Sequence, residues 1–130
     1  MDLAKYRALF LEEGTEHLAG LGRSLLALEK DPAARDAIET AFRMAHSMKS
    51  MAASLDYTAI AELAHRLEDR LEGVRTAGRV DGAGDLPLLF RGLEGLERMV
   101  GVVRERGQAP PGDPELLAAL DPSPRKKTPA

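Results

Sequence analysis

The sequence predicts an all-α protein, namely an antiparallel four-helix bundle with a short fifth helix at its C-terminal end. Residues that favour strands are scarce, since aromatic residues make up 4% of the chain, whereas the helix formers Leu, Ala, Glu and Arg dominate. Apolar residues recur at spacings of three and four along four segments, which places them on one face of a helix. The short connections between these segments favour antiparallel packing.

The composition limits the class of protein. A chain of 130 residues with 44% apolar content can bury one core as a single domain. The absence of cysteine excludes disulfides, thiolate metal sites and a cysteine nucleophile, and it fits a reducing compartment, so we expect a cytoplasmic protein. A net charge of −3 argues against nucleic-acid binding. No segment resembles a cleaved signal or a membrane span, so we expect neither.

The first two predicted helices meet at Asp31 and Pro32, which we expect to cap and open the second helix. The first helix should cover residues 3–29, and the second should run to about residue 55. The apolar stripe of the first helix comprises Leu11, Gly14, Leu18, Leu21, Leu25 and Leu28. The stripe of the second helix comprises Ile38, Ala41, Phe42, Ala45, Met48, Ala52 and Leu55.

The third helix should cover residues 57–76, with Asp56 as its N-terminal cap and Gly78 as its end. Its apolar stripe comprises Ile60, Leu63, Ala64, Leu67, Leu71 and Val74. A glycine-rich loop over residues 78–84 leads to a fourth helix that opens at Asp85 and Pro87 and ends near Arg106. Its buried face comprises Leu89, Leu93, Leu96, Val100 and Val103.

The C-terminal part of the chain carries a short fifth helix over residues 115–120, capped by Asp113 and opened by Pro114. Residues 121–130 are rich in proline and polar residues and resemble the start of a flexible interdomain linker. We therefore assign residues 1–120 to one domain and expect the chain to be the first piece of a longer protein.

A polar row lies beside the apolar stripe of the second helix, because residues three and four apart share a helix face. We expect His46 to point outward in this row. Lys49 lies close enough for its ammonium group to reach a negative group on the imidazole. Small side chains near His46 leave the backbone open to a partner protein. The residues expected to dock partners are Glu39, Arg43, Ser47, Ser50 and Ala53.

A matching row on the third helix contains Ala61, His65, Glu68 and Glu72. If the two helices pack antiparallel, this row can face His46. A carboxylate that accepts a hydrogen bond from Nδ1–H fixes the histidine tautomer and makes Nε2 a better nucleophile, and Glu68 is the candidate for this carboxylate. His65, one turn earlier, is expected to hydrogen-bond or cap the same site.

The chain carries three motifs in order: Leu9-Phe10-Leu11-Glu12-Glu13 with Glu16-His17-Leu18, Ala41-Phe42-Arg43 with Ala45-His46-Ser47-Met48-Lys49-Ser50, and Ala64-His65-Arg66-Leu67-Glu68-Asp69. In this order they resemble the histidine-phosphotransfer (HPt) domain at the N-terminus of CheA-type chemotaxis histidine kinases. The similarity is strong over the first three helices and rests on pattern alone in the fourth and fifth.

The resemblance implies a phosphotransfer function. His46 would accept the γ-phosphoryl group of ATP from a separate kinase catalytic domain, which binds ATP and Mg, and would pass it to an aspartate of a CheY-like or CheB-like response-regulator receiver. Glu68 would orient His46, Lys49 would be the charge partner of the phosphoryl group, and His65 would complete the network. No glycine-rich phosphate loop is present, so we expect no cofactor in this domain.

The sequence departs from the family pattern at two positions. Ser50 stands where the family usually has glycine, so its hydroxyl either hydrogen-bonds the phosphoryl group or crowds an approaching partner. Asp56 stands where a glycine usually precedes the aromatic residue, and its expected role as a helix cap accommodates this change.

Other readings of the same residues remain open. A lone His46 is more often a solvated surface histidine, and Lys49 and Glu68 also fit an ordinary charged surface. His65 fits a histidine bonded between helices as well as a direct role. A helical adaptor that docks partners without being phosphorylated is the alternative function. A metal-binding bundle ranks last, because the three histidines lack metal-ligand spacing.

Overall fold

The computed structural model describes residues 2–120, which form five helices and no strand. The helices are α1 (Leu3–Lys30), α2 (Arg35–Ser54), α3 (Thr58–Ala77), α4 (Asp85–Arg106) and α5 (Pro114–Leu120). The predicted fold class is confirmed, and the predicted linker over residues 121–130 lies outside the described residues. In the described part of the chain, no helix is both long enough and apolar enough to span a membrane.

Neighbouring helices of the bundle run antiparallel. The facing pairs follow opposite chain directions. Between α1 and α2, Gly14 faces Met48 and Gly20 faces Met44, and between α3 and α4, Leu67 faces Gly92 and Leu63 faces Gly95. The helices α1 and α4 also pack together, which closes a four-helix ring. The apolar stripes meet inside this ring. Three predicted core positions, Leu11, Phe42 and Leu55, are only partly buried.

The predicted start of α2 is wrong by about one turn. Asp31 terminates α1 instead, since its backbone N–H donates to Ala27 O at 2.9 Å. The Asp31 carboxylate accepts from the N–H of Ala33 at 3.1 Å, so it stabilises a turn. The helix then begins at Arg35, without a side-chain cap at Ala34.

The predicted capping role of Asp56 is also wrong. Its φ of 60° places it in the left-handed region, where it ends α2. The N–H of Asp56 donates to Ala53 O at 3.1 Å and the N–H of Tyr57 donates to Ala52 O at 2.9 Å. These two bonds form a Schellman motif, in which glycine is the preferred residue. The cap position of α3 is Tyr57, which makes no side-chain capping bond.

The helix α5 is fastened to α3 by two arginines. Arg66 donates from Nη1 to the carbonyl of Leu117 at 3.2 Å, and Arg70 donates from Nε to the carbonyl of Leu120 at 3.1 Å. The side chain of Arg70 is 8% exposed and forms an ion pair with Asp85 at 2.7 Å. These contacts join α5, α3 and the start of α4.

Candidate functional site

The site forms where one face of α2 meets one face of α3. The antiparallel pairing sets His46 opposite Glu68 and, two turns away, Glu39 opposite Arg75. Each turn along α2 therefore matches a turn in the opposite direction along α3. This register follows from the two apolar stripes, because burying both stripes turns their adjacent polar rows toward each other.

A buried carboxylate holds the exposed histidine. Nδ1 of His46 lies 2.5 Å from Oε2 of Glu68. The His46 side chain is 55% exposed, whereas that of Glu68 is 10% exposed. An ionised carboxylate only accepts hydrogen bonds, so the proton of this bond belongs to Nδ1. In the neutral imidazole, Nε2 then carries a lone pair away from Glu68.

Lys49 completes the bonding of Glu68. Its Nζ donates to Oε1 of Glu68 at 2.5 Å, so each carboxylate oxygen has one donor. Lys49 was predicted to be the charge partner of a phosphoryl group on His46. The structure places it on Glu68, one turn along α2 from His46.

The ionisation state of Glu68 follows from competing effects on its pKa. Burial raises the pKa of the carboxyl group, but the hydrogen bonds from Lys49 and His46, together with the charges on these residues, outweigh burial and lower the pKa below its ordinary value. Glu68 is therefore ionised at neutral pH. A negative acceptor is what the Nδ1–H tautomer of His46 requires.

His65 lies next to this cluster, and its nearest ionic partner is Asp69. Nε2 of His65 is 3.6 Å from Oδ1 of Asp69, which is too long for a hydrogen bond. His65, Glu68 and Asp69 offer potential metal-ligand atoms within 4.8 Å of one another. Both oxygens of Glu68 already accept hydrogen bonds, so a cation there would compete with Lys49. We assign no metal site to this group.

The five predicted docking residues lie on α2 around His46. Arg43, Ser50 and Ala53 are exposed, and Ser47 is partly buried. Glu39 is engaged by α3, since its Oε2 lies 3.7 Å from Nε of Arg75. The accessible part of the predicted docking surface therefore consists of Arg43, Ser50 and Ala53.

Phe42, a neighbour of His46, and Arg75, which covers Phe42, had no predicted role in the site. The ring of Phe42, which was assigned to the core stripe, lies nearly parallel to the imidazole, with the ring centroids 6.4 Å apart. The guanidinium of Arg75 covers the Phe42 ring at 4.2 Å from its centroid. The available signal was the register, because Arg75 follows Glu68 by two helical turns and Phe42 precedes His46 by one.

The fold and the site define a class of protein. It is a helical bundle with an exposed histidine, in which Nδ1 bonds a buried carboxylate and Nε2 faces away from that carboxylate. The chain belongs to the Hpt domain family, whose sequence model matches residues 5–106. This match spans α2, α3 and α4 and nearly all of α1.

Known proteins of the same kind resemble this chain. The chemotaxis protein CheA of Bacillus subtilis (strain 168) is 36% identical over 121 residues, which cover 93% of this chain and 18% of the relative. The solution structure of the histidine phosphotransfer domain of CheA matches with a TM-score of 0.80 at 29% identity, covering 89% of each chain.

A second solved structure is a complex. The phosphorylated P1 domain of CheA3 from R. sphaeroides, crystallised with CheY6, matches with a TM-score of 0.81 at 26% identity and covers 89% of this chain and 92% of that one. The chain spans about one fifth of the length of the CheA of B. subtilis.

Proposed function

We propose that this chain is the phosphotransfer domain of a CheA-type chemotaxis histidine kinase and that His46 carries the phosphoryl group. The observation that carries the proposal is the bond between Nδ1 of His46 and the buried, ionised Glu68. This bond leaves Nε2 as an exposed nucleophile with a defined tautomer. The Hpt family match and the CheA relatives support the same assignment.

The first chemical step transfers the γ-phosphoryl group from ATP to His46. The lone pair of Nε2 attacks the γ-phosphorus of ATP, a P–N bond forms, the bond to the bridging oxygen breaks and ADP leaves. The imidazole becomes a cation, and Glu68 stabilises this positive charge through the Nδ1–H bond. ATP and Mg are supplied by a separate kinase catalytic domain, and this chain binds neither on its own.

Lys49 is the charge partner of the phosphoryl group in this proposal, and His65 belongs to the surrounding polar network. The phosphoryl group adds negative charge beside the ion pair of Lys49 and Glu68, in which the two opposite charges neutralise each other. The Lys49 ammonium turns from Glu68 toward the phosphoryl oxygens on His46, because Lys49 follows His46 by one turn on α2. His65 lies on the α3 side of the same cluster and supports it as a polar neighbour.

The phosphoryl group passes next to an aspartate of a response-regulator receiver of the CheY or CheB type. The aspartate carboxylate attacks phosphorus, the P–N bond breaks and its electron pair returns to Nε2. The receiver docks over Arg43, Ser47, Ser50 and Ala53, with Glu39 at the margin. A P1 domain of similar fold, crystallised with CheY6, supports this partner class. Such signalling takes place in the cytoplasm.

A labelling experiment tests the proposal. Incubation with a CheA kinase core and γ-labelled ATP should label the wild type, and the label should be lost in acid because a phosphoramidate hydrolyses there. His46→Gln should remain unlabelled. Acid-stable label, or label that persists in His46→Gln, would contradict the assignment. Normal receiver binding without any label would instead favour the unphosphorylated adaptor.

The role of Glu68 has its own test. Glu68→Gln keeps the shape of the side chain but removes the charge, so we expect the labelling rate to fall by about tenfold or more. The matched control is Glu94→Gln, an exposed glutamate on α4. Equal labelling rates in Glu68→Gln and the wild type would show that Glu68 does not orient His46.

A further inference from the structure

The imidazole of His46 has a second neighbour besides Glu68. The ring of Phe42, one turn earlier on α2, lies at 13° to the imidazole plane with the centroids 6.4 Å apart. Phe42 is partly buried and packs against the bundle core. It therefore presents a fixed flat surface next to an exposed histidine.

Phe42 is itself held from α3. The guanidinium of Arg75 lies 4.2 Å from the centroid of the Phe42 ring, a cation–π geometry. Nε of Arg75 lies 3.7 Å from a carboxylate oxygen of Glu39 on α2 and 3.7 Å from one of Glu72 on α3. One acid from each helix thus keeps the guanidinium over the ring.

We infer that Phe42 and Arg75 are positioning residues for the phosphoacceptor, with Phe42 setting the plane of the His46 imidazole and Arg75 holding Phe42. The imidazole is attached at Cγ and restrained at Nδ1 by one hydrogen bond, so it keeps the rotation about the Cβ–Cγ bond that the angular tolerance of this hydrogen bond allows. This rotation displaces Nε2, which lies on the far side of the ring. A parallel aromatic neighbour restricts the rotation, so the lone pair keeps one direction.

This inference rests on the proposed function of His46, and it separates two contributions to that function. Glu68 determines which nitrogen carries the proton, and Phe42 determines where the other nitrogen points. Phe42 and Arg75 lie away from Ser50 and Ala53, but Arg75 contacts Glu39 at the margin of the proposed docking surface. KM is therefore measured together with kcat, and a change in kcat alone identifies an effect on the chemical step.

The test compares ring variants at position 42 in steady-state labelling by a kinase core. Phe42→Leu keeps apolar volume without a ring, and we expect its kcat to fall roughly threefold to tenfold with KM unchanged. Phe42→Tyr keeps the ring and should restore kcat. NMR should show that the His46 ring protons lose the ring-current shift of Phe42 in Phe42→Leu and keep it in Phe42→Tyr.

A second pair of variants tests the support from α3. Arg75→Gln removes the cation above Phe42 and should lower kcat roughly twofold to fivefold, while Arg75→Lys should recover part of the loss. Arg91→Gln, at an exposed arginine on α4, is the matched control and should behave as the wild type. Thermal unfolding of each variant identifies a temperature at which all of them remain folded, and the kinetics are compared there.

The outcomes distinguish the inference from the proposed function. Wild-type kcat in Phe42→Leu would overturn the inference even if the His46 ring signals move, because loss of the ring-current shift by itself reports only that the Phe42 ring is gone. A higher KM at constant kcat would place Phe42 on the docking surface and would overturn it too. A wild type that takes no label would refute the proposed function, while unmoved ring signals would still refute the inference.

Discussion

Asp56 shows how one residue can depart from the conformational preference of its position without changing the fold. Its φ of 60° is strained for a residue with a Cβ atom, although aspartate tolerates it better than most because its short side chain bonds locally. The two Schellman bonds that end α2 depend on this conformation. Having aspartate instead of glycine at position 56 should therefore change the free energy of unfolding and leave the polar site around His46 unchanged.

Asp56→Gly should raise the free energy of unfolding by about 1 kcal/mol, because glycine adopts the left-handed region without the Cβ clash. Asp56→Ala should lower it, since alanine keeps the Cβ and loses the local bonding of aspartate. Urea denaturation of the three proteins measures both effects. Equal stability of the glycine and alanine variants would contradict this account of the end of α2.

Two glycines of α4 differ in what surrounds them, and they therefore have different effects on stability. A Cβ atom added at Gly92 would lie 2.5 Å from Cδ2 and 2.9 Å from Cγ of the buried Leu67. A Cβ atom added at Gly101 would have no neighbour within 4 Å. The first glycine permits close approach of α3 and α4, and the second only weakens the helix.

Gly92→Ala should destabilise the protein by about 1–3 kcal/mol, because the overpacked Leu67 must leave its rotamer. Gly101→Ala, the matched control in the same helix, should stabilise it by about 1 kcal/mol through helix propensity. Thermal unfolding of the two variants measures the difference. Stabilisation by both substitutions would show that α3 and α4 do not approach as closely as described.

The attachment of α5 to the bundle depends on a few side chains of α3 and α5. A helix of seven residues is marginal alone, so its position depends on Arg66, Arg70 and the buried Leu116 and Leu120. Arg70→Met should cost about 1–3 kcal/mol, because Asp85 and the Leu120 carbonyl lose their donors. Hydrogen exchange should show the loss of protection concentrated in α5 and at the start of α4. Unchanged exchange in α5 would contradict the role of Arg70.

The stability of the whole molecule is linked to the polar site through Glu68. Its folded-state pKa is lowered from 4.5, so Glu68 binds a proton less readily in the folded bundle than in the unfolded chain. The stability that this shift contributes is present in full above the unfolded pKa and is lost as the pH falls through the lower folded value.

The difference in unfolding free energy between the wild type and Glu68→Gln should therefore shrink as the pH falls below 4.5. Urea denaturation at a series of pH values measures this difference. The control repeats the comparison in a Lys49→Met background, where the strongest of the effects that lower the pKa is missing and the pH dependence should be weaker. A difference that does not change with pH would contradict the lowered pKa.

Much of this protein was predictable from its sequence, because helix periodicity and turn residues are local signals. The stripes of α3 and α4, the end of α3 at Gly78 and the cap of α5 at Asp113 were predicted and are confirmed. The start of α2 and the capping residue of α3 were predicted wrongly, because Asp31 and Asp56 suit a turn as well as a cap and neighbouring backbone bonds decide between the two roles.

The sequence by itself determined which residues of α2 and α3 lie on one polar face, and with the family resemblance it nominated His46, Lys49, His65 and Glu68. Only the tertiary structure decided how these residues pair, because pairing depends on the register of two packed helices. That register pairs Glu68 with both Lys49 and His46, leaves His65 beside Asp69, and places the Phe42 ring beside the imidazole with Arg75 over Phe42. The physical reason is that a periodic pattern specifies a face, whereas a hydrogen bond requires a distance between two elements.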